Sequence, residues 1–150
     1  MKTLFFLVSV LFVFTANAQQ NNLKNIYSKN NKIGIGTSNP DQLLTVKGKI
    51  HTQEVIVDLK GVIAPDYVFE SYYLGKSESN PNYQLLTLIE IETYIKEYHH
   101  LPKIPSAKEI EENGLSLKKM KLLLLEKVEE LTLFTIQQQK EINLLKEKIQ

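Results

Sequence analysis

The chain has 150 residues with 18 basic and 17 acidic side chains, a formal charge of +1, and no cysteine. Every basic residue is lysine, and a balanced charge without arginine argues against a phosphate-reading surface, so no nucleic-acid partner is expected. The lack of cysteine excludes disulfides, a thiolate-ligated metal and a lipid anchor on cysteine. The first element is a leader. "MKTLFFLVSVLFVFTANAQ" carries a basic start at Lys2, an apolar run over Leu4–Phe14 and small residues at Ala16 and Ala18, the pattern of a cleavable secretory signal peptide over 1–18. The run is too short to span a bilayer, so cleavage after Ala18 leaves no stable membrane span. Export places the product in the periplasm, on the cell surface or outside the cell. Loss of Lys2 leaves 17 lysines against 17 acidic residues.

Residues 19–31, "QQNNLKNIYSKNN", read as a flexible polar lead-in. Over 32–63 apolar residues alternate at Ile33 and Ile35, at Leu44 and Val46, and at Val55, Val57 and Leu59, with Ser38-Asn39-Pro40 and Lys47-Gly48 between the runs. This is a series of short strands with tight turns. Strands so short bury little by themselves and need the downstream helices or other copies of the chain.

Residues 64–114 read as a small α+β cap. Asp66-Tyr67-Val68-Phe69 and Tyr72-Tyr73 bring aromatic mass, expected as core or strand packing, and Gly75–Asn82 is a polar loop. Thr87 and Glu90 have capping-box spacing, and Leu88, Ile91, Ile95 and Tyr98 recur as one face of an amphipathic helix. Pro102 ends that helix near His99 or His100. Ser106 and Glu109 repeat the capping box, and the helix they start stops at Asn113-Gly114. Pro102, Pro105, Ser106, Glu109 and Gly114 therefore define a corner between helices. Adjacent His99 and His100 lack the i, i+4 spacing of a helical metal site, so no catalytic residue, metal or cofactor is assigned.

Residues 115–150 contain neither proline nor glycine and predict one long helix. A 3-4 spacing runs through Leu117, Lys121, Leu124, Val128, Leu131, Thr135, Gln138, Ile142, Leu145 and Ile149. That is a heptad seam whose aliphatic members are Leu117, Leu124, Val128, Leu131, Ile142, Leu145 and Ile149. The Leu122–Leu125 block is apolar nearly all round and calls for burial by the cap or by neighbouring chains. The expected class is thus α+β: a short β-strand shaft, a small helical cap and a long C-terminal coiled-coil helix in an intertwined oligomer.

"IGIGTSNPDQLLTVKGKI" resembles the shaft repeat of phage tail-fibre-like and adhesin-like proteins. "PDYVF", "HHLPKIPSAKEIEENGLSL" and "LLLEKVEELTLF" resemble the C-terminal module of secreted tail-fibre-like Bacteroidetes proteins. The resemblance covers roughly residues 33–140 and implies a trimeric fibre tip or foot with a parallel coiled coil, and the lack of a convergent catalytic set leads us to expect a homo-oligomer without enzymatic activity. The sequence departs from that pattern in carrying one GIGT-NP unit and a longer Gly75–Asn82 loop. Two other functions compete. A self-cleaving intramolecular chaperone would use Ser106 and Lys108, and a surface carbohydrate or adhesive binder would use the Tyr67–Tyr73 cluster and the Gly75–Asn82 loop. The sequence specifies no ligand.

Overall fold

A computed structural model describes residues 24–149. The signal peptide expected over 1–18, with Ala16 and Ala18, lies outside the described residues. The described residues are α+β, with a small three-stranded sheet and four helices, the last of them long. It divides into two units, one ending at Val55 and the other starting at Ile56.

The first unit holds β1 (Ile26–Lys29), β2 (Lys32–Ile35) and β3 (Leu44–Val46) in the order β1-β2-β3. β1 and β2 form an antiparallel hairpin with Ile26 opposite Ile35 and Lys29 opposite Lys32. Its turn is Asn30-Asn31, both left-handed with φ of 50° and 58°. Two such residues match the right-handed twist of the strands, and asparagine tolerates the conformation better than most side chains. The stretch expected as a flexible lead-in therefore contains β1 and the start of a hairpin. Its polar composition suits an exposed edge strand, which the sequence reading took for disorder.

β2 and β3 are parallel, with Ile33 beside Leu44 and Ile35 beside Val46. A parallel pair normally needs a long crossover; here the link is only Gly36–Leu43. Gly36 makes it possible. Its φ is +72°, and a Cβ would lie 2.9 Å from the Lys47 carbonyl oxygen. A Cβ on Gly34 would collide with the carbonyl of Thr37. Thr45 Oγ1 closes the link, accepting from the backbone N–H of Asp41 and of Gln42 at 3.1 Å and donating to Asp41 Oδ1 at 2.7 Å. The Thr45 hydroxyl holds the Asp41 carboxyl below its ordinary pKa. Registered pairs put Ile26, Ile33, Ile35, Leu44 and Val46 on one sheet face. The first four of these are exposed.

The strand expected around Val55, Val57 and Leu59 is absent: residues 47–66 form neither strand nor helix. Alternation creates a strand only when a ladder partner is available, and among the described residues none pairs with this stretch.

The second unit begins its regular structure at α1 (Tyr67–Leu74), a helix where the aromatic residues were expected as core or strand packing. Local signals at both ends override the β preference of its tyrosines and Phe69. The Val68 N–H bonds the Pro65 carbonyl at 2.8 Å, and left-handed Gly75 (φ 81°) caps the C-terminus. α2 (Leu88–Tyr98) and α3 (Ala107–Asn113) start at the capping boxes of Thr87/Glu90 and Ser106/Glu109. In both, the glutamate is held below its ordinary pKa, first by the N–H it accepts from the capping residue's backbone and then by that residue's hydroxyl. α2 ends at His99, left-handed at φ 60°, as the Pro102 argument required. α3 ends at Gly114, with φ 73°. α4 (Leu117–Ile149) is a single helix of 33 residues, about 50 Å at 1.5 Å per residue.

The core is small. Val68 of α1, Leu133 of α4 and Tyr83 are its buried members, with Tyr67, Phe69 and Leu85 packed around them. The Gly75–Asn82 loop brings Tyr83 back to this core. Buried Ser77 staples the loop, donating to Glu70 Oε2 at 2.5 Å and accepting from the N–H of Asn80 at 3.1 Å.

Candidate assembly interface

The residues that bind α4 to its own unit lie on one side. Its buried members are Glu126, Glu129, Glu130 and Leu133. At 3.6 residues per turn this set shares one stripe, and Leu124, Val128 and Leu131 fall on the opposite side, about 180° away. Those three are 51%, 57% and 64% exposed. Leu117, Ile142, Leu145 and Ile149 extend the same exposed stripe along the helix. The Leu122–Leu125 block is not buried on several sides within the chain: Leu124 and Leu125 are exposed and only Leu122 and Leu123 are half-buried. At the polar positions of the seam, the Thr135 hydroxyl bonds back to the Leu131 carbonyl at 2.8 Å, so it carries no unmet donor into the stripe.

The buried stripe is acidic, and two lysines and two tyrosines bind its Glu126 and Glu130 carboxylates. Glu126, 2% exposed, accepts from the Tyr67 hydroxyl at 2.5 Å, Lys103 Nζ at 2.7 Å and Lys127 Nζ at 3.2 Å. Glu130 accepts from the Tyr83 hydroxyl at 3.0 Å and from Lys127 at 2.8 Å. The Tyr67 and Tyr83 rings meet at 5.0 Å, and Lys103 Nζ sits 4.8 Å above the Tyr83 ring. Burial pushes the Glu126 pKa up, but the hydrogen bonds and charges of Lys103, Tyr67 and Lys127 outweigh it and hold the carboxyl low. Burial, together with the neighbouring carboxylates, drives both tyrosine hydroxyls well above their ordinary pKa, so they stay neutral donors. Glu129 is the exception. Its Oε2 is buried without a hydrogen-bond partner, and burial, then Asp66 and Glu126, raise its pKa.

The helix corner explains how Lys103 reaches this site. The Ile104 N–H bonds the Leu101 carbonyl at 3.1 Å, closing a turn with Pro102 and Lys103 at its centre. Lys103 has φ 68°, the left-handed value that a type II turn requires at its third residue. A lysine there is strained, and contacts on both sides of the side chain hold it. Pro102 is buried under the turn. The prolines thus end one helix, start the next and aim a cation at a buried carboxylate.

Other candidate residues serve local structure. The Ser106 hydroxyl donates to Glu109 Oε2 at 2.8 Å and accepts from the Glu109 N–H at 3.3 Å, while Lys108 turns outward to Glu112 at 3.9 Å. Ser106 and Lys108 are not brought together as nucleophile and base. His100 Nδ1 lies 3.1 Å from the Leu101 carbonyl oxygen, and its ring meets Tyr94 edge-on at 5.5 Å. Among the described residues no group of three or more His, Asp or Glu is placed to hold a metal. Tyr67 belongs to the buried network, whereas Tyr72 and Tyr73 stack edge-to-face at 5.0 Å on the surface.

Sequence reasoning named the helix corner and the stripe that α4 leaves exposed, but missed Lys103, Tyr83, Glu126, Glu129 and Glu130 as a connected cluster. The available signal was Glu126, Glu129, Glu130 and Leu133 at helical spacing opposite the seam. Read alone, such a stripe is a solvated face. No protein-family model, curated protein or solved structure matches this chain. Among the described residues no helix is long and apolar enough to cross a membrane.

Proposed function

We propose that the protein is an exported, non-enzymatic structural or assembly module of the tail-fibre or adhesin-like type, built as a parallel homotrimer through α4. One observation carries this reading: α4 docks on its own unit by the Glu126–Leu133 stripe and leaves its heptad seam uncovered on the opposite side. A helix folded onto its own domain would bury its most apolar side. This helix buries its acidic side, through a dedicated set of tyrosines and lysines.

The energetics favour a partner of the same kind. Burying one aliphatic side chain stabilises by roughly 1.5–3 kcal/mol, and every copy offers a row of them. The core centred on Val68, Tyr83 and Leu133 is small for the length of α4, so folding and assembly are coupled. The open apolar face of the sheet gives the first unit the same need. Trimer rather than dimer follows from the resemblance to fibre shafts, and export follows from the leader.

Leu131→Asp tests the reading. An unpaired carboxylate in a buried seam is costly, so the variant should run by size-exclusion chromatography with light scattering as a monomer. A Leu131→Asp chain that keeps the mass of the wild type would show that the seam is not the interface.

A further inference from the structure

The groove between α2 and α4 is an uncovered apolar feature that adjoins the seam. It encloses about 270 Å³ and is lined by Leu88, Ile91, Leu101, Pro102, Leu131 and Phe134, among others. Two helices packed directly on each other have axes 8–10 Å apart. Here no Cα of α2 lies within 8 Å of a Cα of α4. α2 also has no fully buried residue, although its sequence is amphipathic. Its apolar side is therefore held at a distance from α4, over a gap its own chain leaves open. Leu131 belongs both to the groove and to the seam, so the two surfaces are continuous.

We infer that this groove seats the neighbouring copy's α4, which lies between α2 and α4 of the first chain and presents its Leu125 and Thr132 edge. The inference rests on the assembly proposed above. In a parallel, in-register coiled coil, the residue just before a core position faces, on the next helix, the residue five places further on. With the seam through Leu124, Val128 and Leu131, Lys127 and Phe134 lie on the flank that carries the groove. The flank turned toward them in the next copy carries Leu125, Thr132 and Gln139, with Thr132 opposite Lys127 and Gln139 opposite Phe134, and all three are exposed in the single chain. Thr132 turns its hydroxyl back to the Val128 carbonyl at 2.8 Å, which leaves its methyl group for the contact. The same rule pairs Met120 with Leu125 and Glu141 with Lys146 of the neighbour, apolar with apolar and negative with positive. Among the described residues neither Glu141 nor Lys146 forms an ion pair within its own chain. Continuity of the groove with the seam through Leu131, with the Glu141–Lys146 complement further along the same flank, favours a second copy in this register over a foreign peptide.

The absence of native cysteine gives a direct test. Leu101→Cys and Thr132→Cys chains are co-expressed in full length and oxidised mildly, and Ile91→Cys with Thr132→Cys serves as a second pair. Thr132 lies on the flank of α4 away from the groove, so no bond within one chain can form. Leu145→Cys alone reports the parallel seam, because it meets its own counterpart only in register. The expected result is covalent dimer in each mixture, none in any groove or edge variant alone, and a separate covalent dimer from Leu145→Cys. Cross-linking at Leu145 without cross-linking in either mixture would overturn the groove contact and leave the assembly standing. Cross-linking in the mixtures alone would overturn the parallel register on which the contact was assigned. Silence in all of them would overturn both the contact and the assembly.

Discussion

Glu126 is the residue on which the docking of α4 depends, and removing it should be more damaging than removing any one of its donors. Glu126→Ala deletes the acceptor of Tyr67 at 2.5 Å, Lys103 at 2.7 Å and Lys127 at 3.2 Å. Lys127, at 15% side-chain exposure, keeps Glu130 as a partner. Glu126→Ala leaves no buried cation unpaired, but it strips the Tyr67 hydroxyl of its acceptor and removes two charge-assisted hydrogen bonds, so it should cost about 2–4 kcal/mol. Lys103→Ala should cost only about 1–2 kcal/mol, the sum of a screened pair and a cation–π contact. Its side chain is 47% exposed, and Glu126 retains Tyr67 and Lys127. The Glu126→Ala/Lys103→Ala cycle should give a coupling within the range of about 0.5–3 kcal/mol seen for contacting residues. Urea unfolding followed by circular dichroism measures all four species, at one fixed chain concentration because assembly adds to stability. If Glu126→Ala costs less than Lys103→Ala, the carboxylate is not the hub of the network and the argument fails.

Three further outcomes are expected. Glu129 has a raised pKa in the folded chain, so it stabilises fully below the ordinary carboxyl value and loses that contribution as pH rises through its folded value. Glu129→Gln should therefore gain about 1 kcal/mol at neutral pH, with the gain fading toward about pH 4 in melts across pH; a loss at neutral pH would show that the buried oxygen has a partner. Ser106→Ala should cost about 1 kcal/mol by loss of the capping box, while His99→Gly should be neutral or stabilising because φ 60° suits glycine; thermal melts of the two variants check both signs. Export should leave Gln19 as the first residue of the chain recovered from its native host, and an intact mass that retains residues 1–18 would refute the leader reading.

The parts legible in the sequence were those written in local chemistry. Thr87/Glu90 and Ser106/Glu109 announced their helix starts, Pro102 and Gly114 the helix ends, and the 3-4 spacing the long helix. The β segment was half legible. Ile33/Ile35 and Leu44/Val46 form strands because Gly34 and Gly36 let the link fold tightly, whereas Val55, Val57 and Leu59 alternate equally well and find no partner. β1 was hidden in a polar stretch, because an edge strand needs little hydrophobicity and its Asn30-Asn31 turn resembles a disordered tract. The aromatic content of Tyr67–Tyr73 suggested core or strand packing and gave no helix, although Pro65 and Gly75 bracket a short one. The acidic stripe of α4 was illegible for another reason. Its partners Tyr67, Tyr83 and Lys103 are far away in sequence, and only the corner and the Ser77 loop bring them together.

The central claim is that the uncovered seam of α4 is covered by other copies of the same chain. The mass of the mature wild-type chain in solution, measured by light scattering across a dilution series, tests it most directly. The account predicts three chains per particle at micromolar concentration, with helix content lost together with mass on dilution. A compact, fully helical monomer that stays stable throughout the series would contradict it.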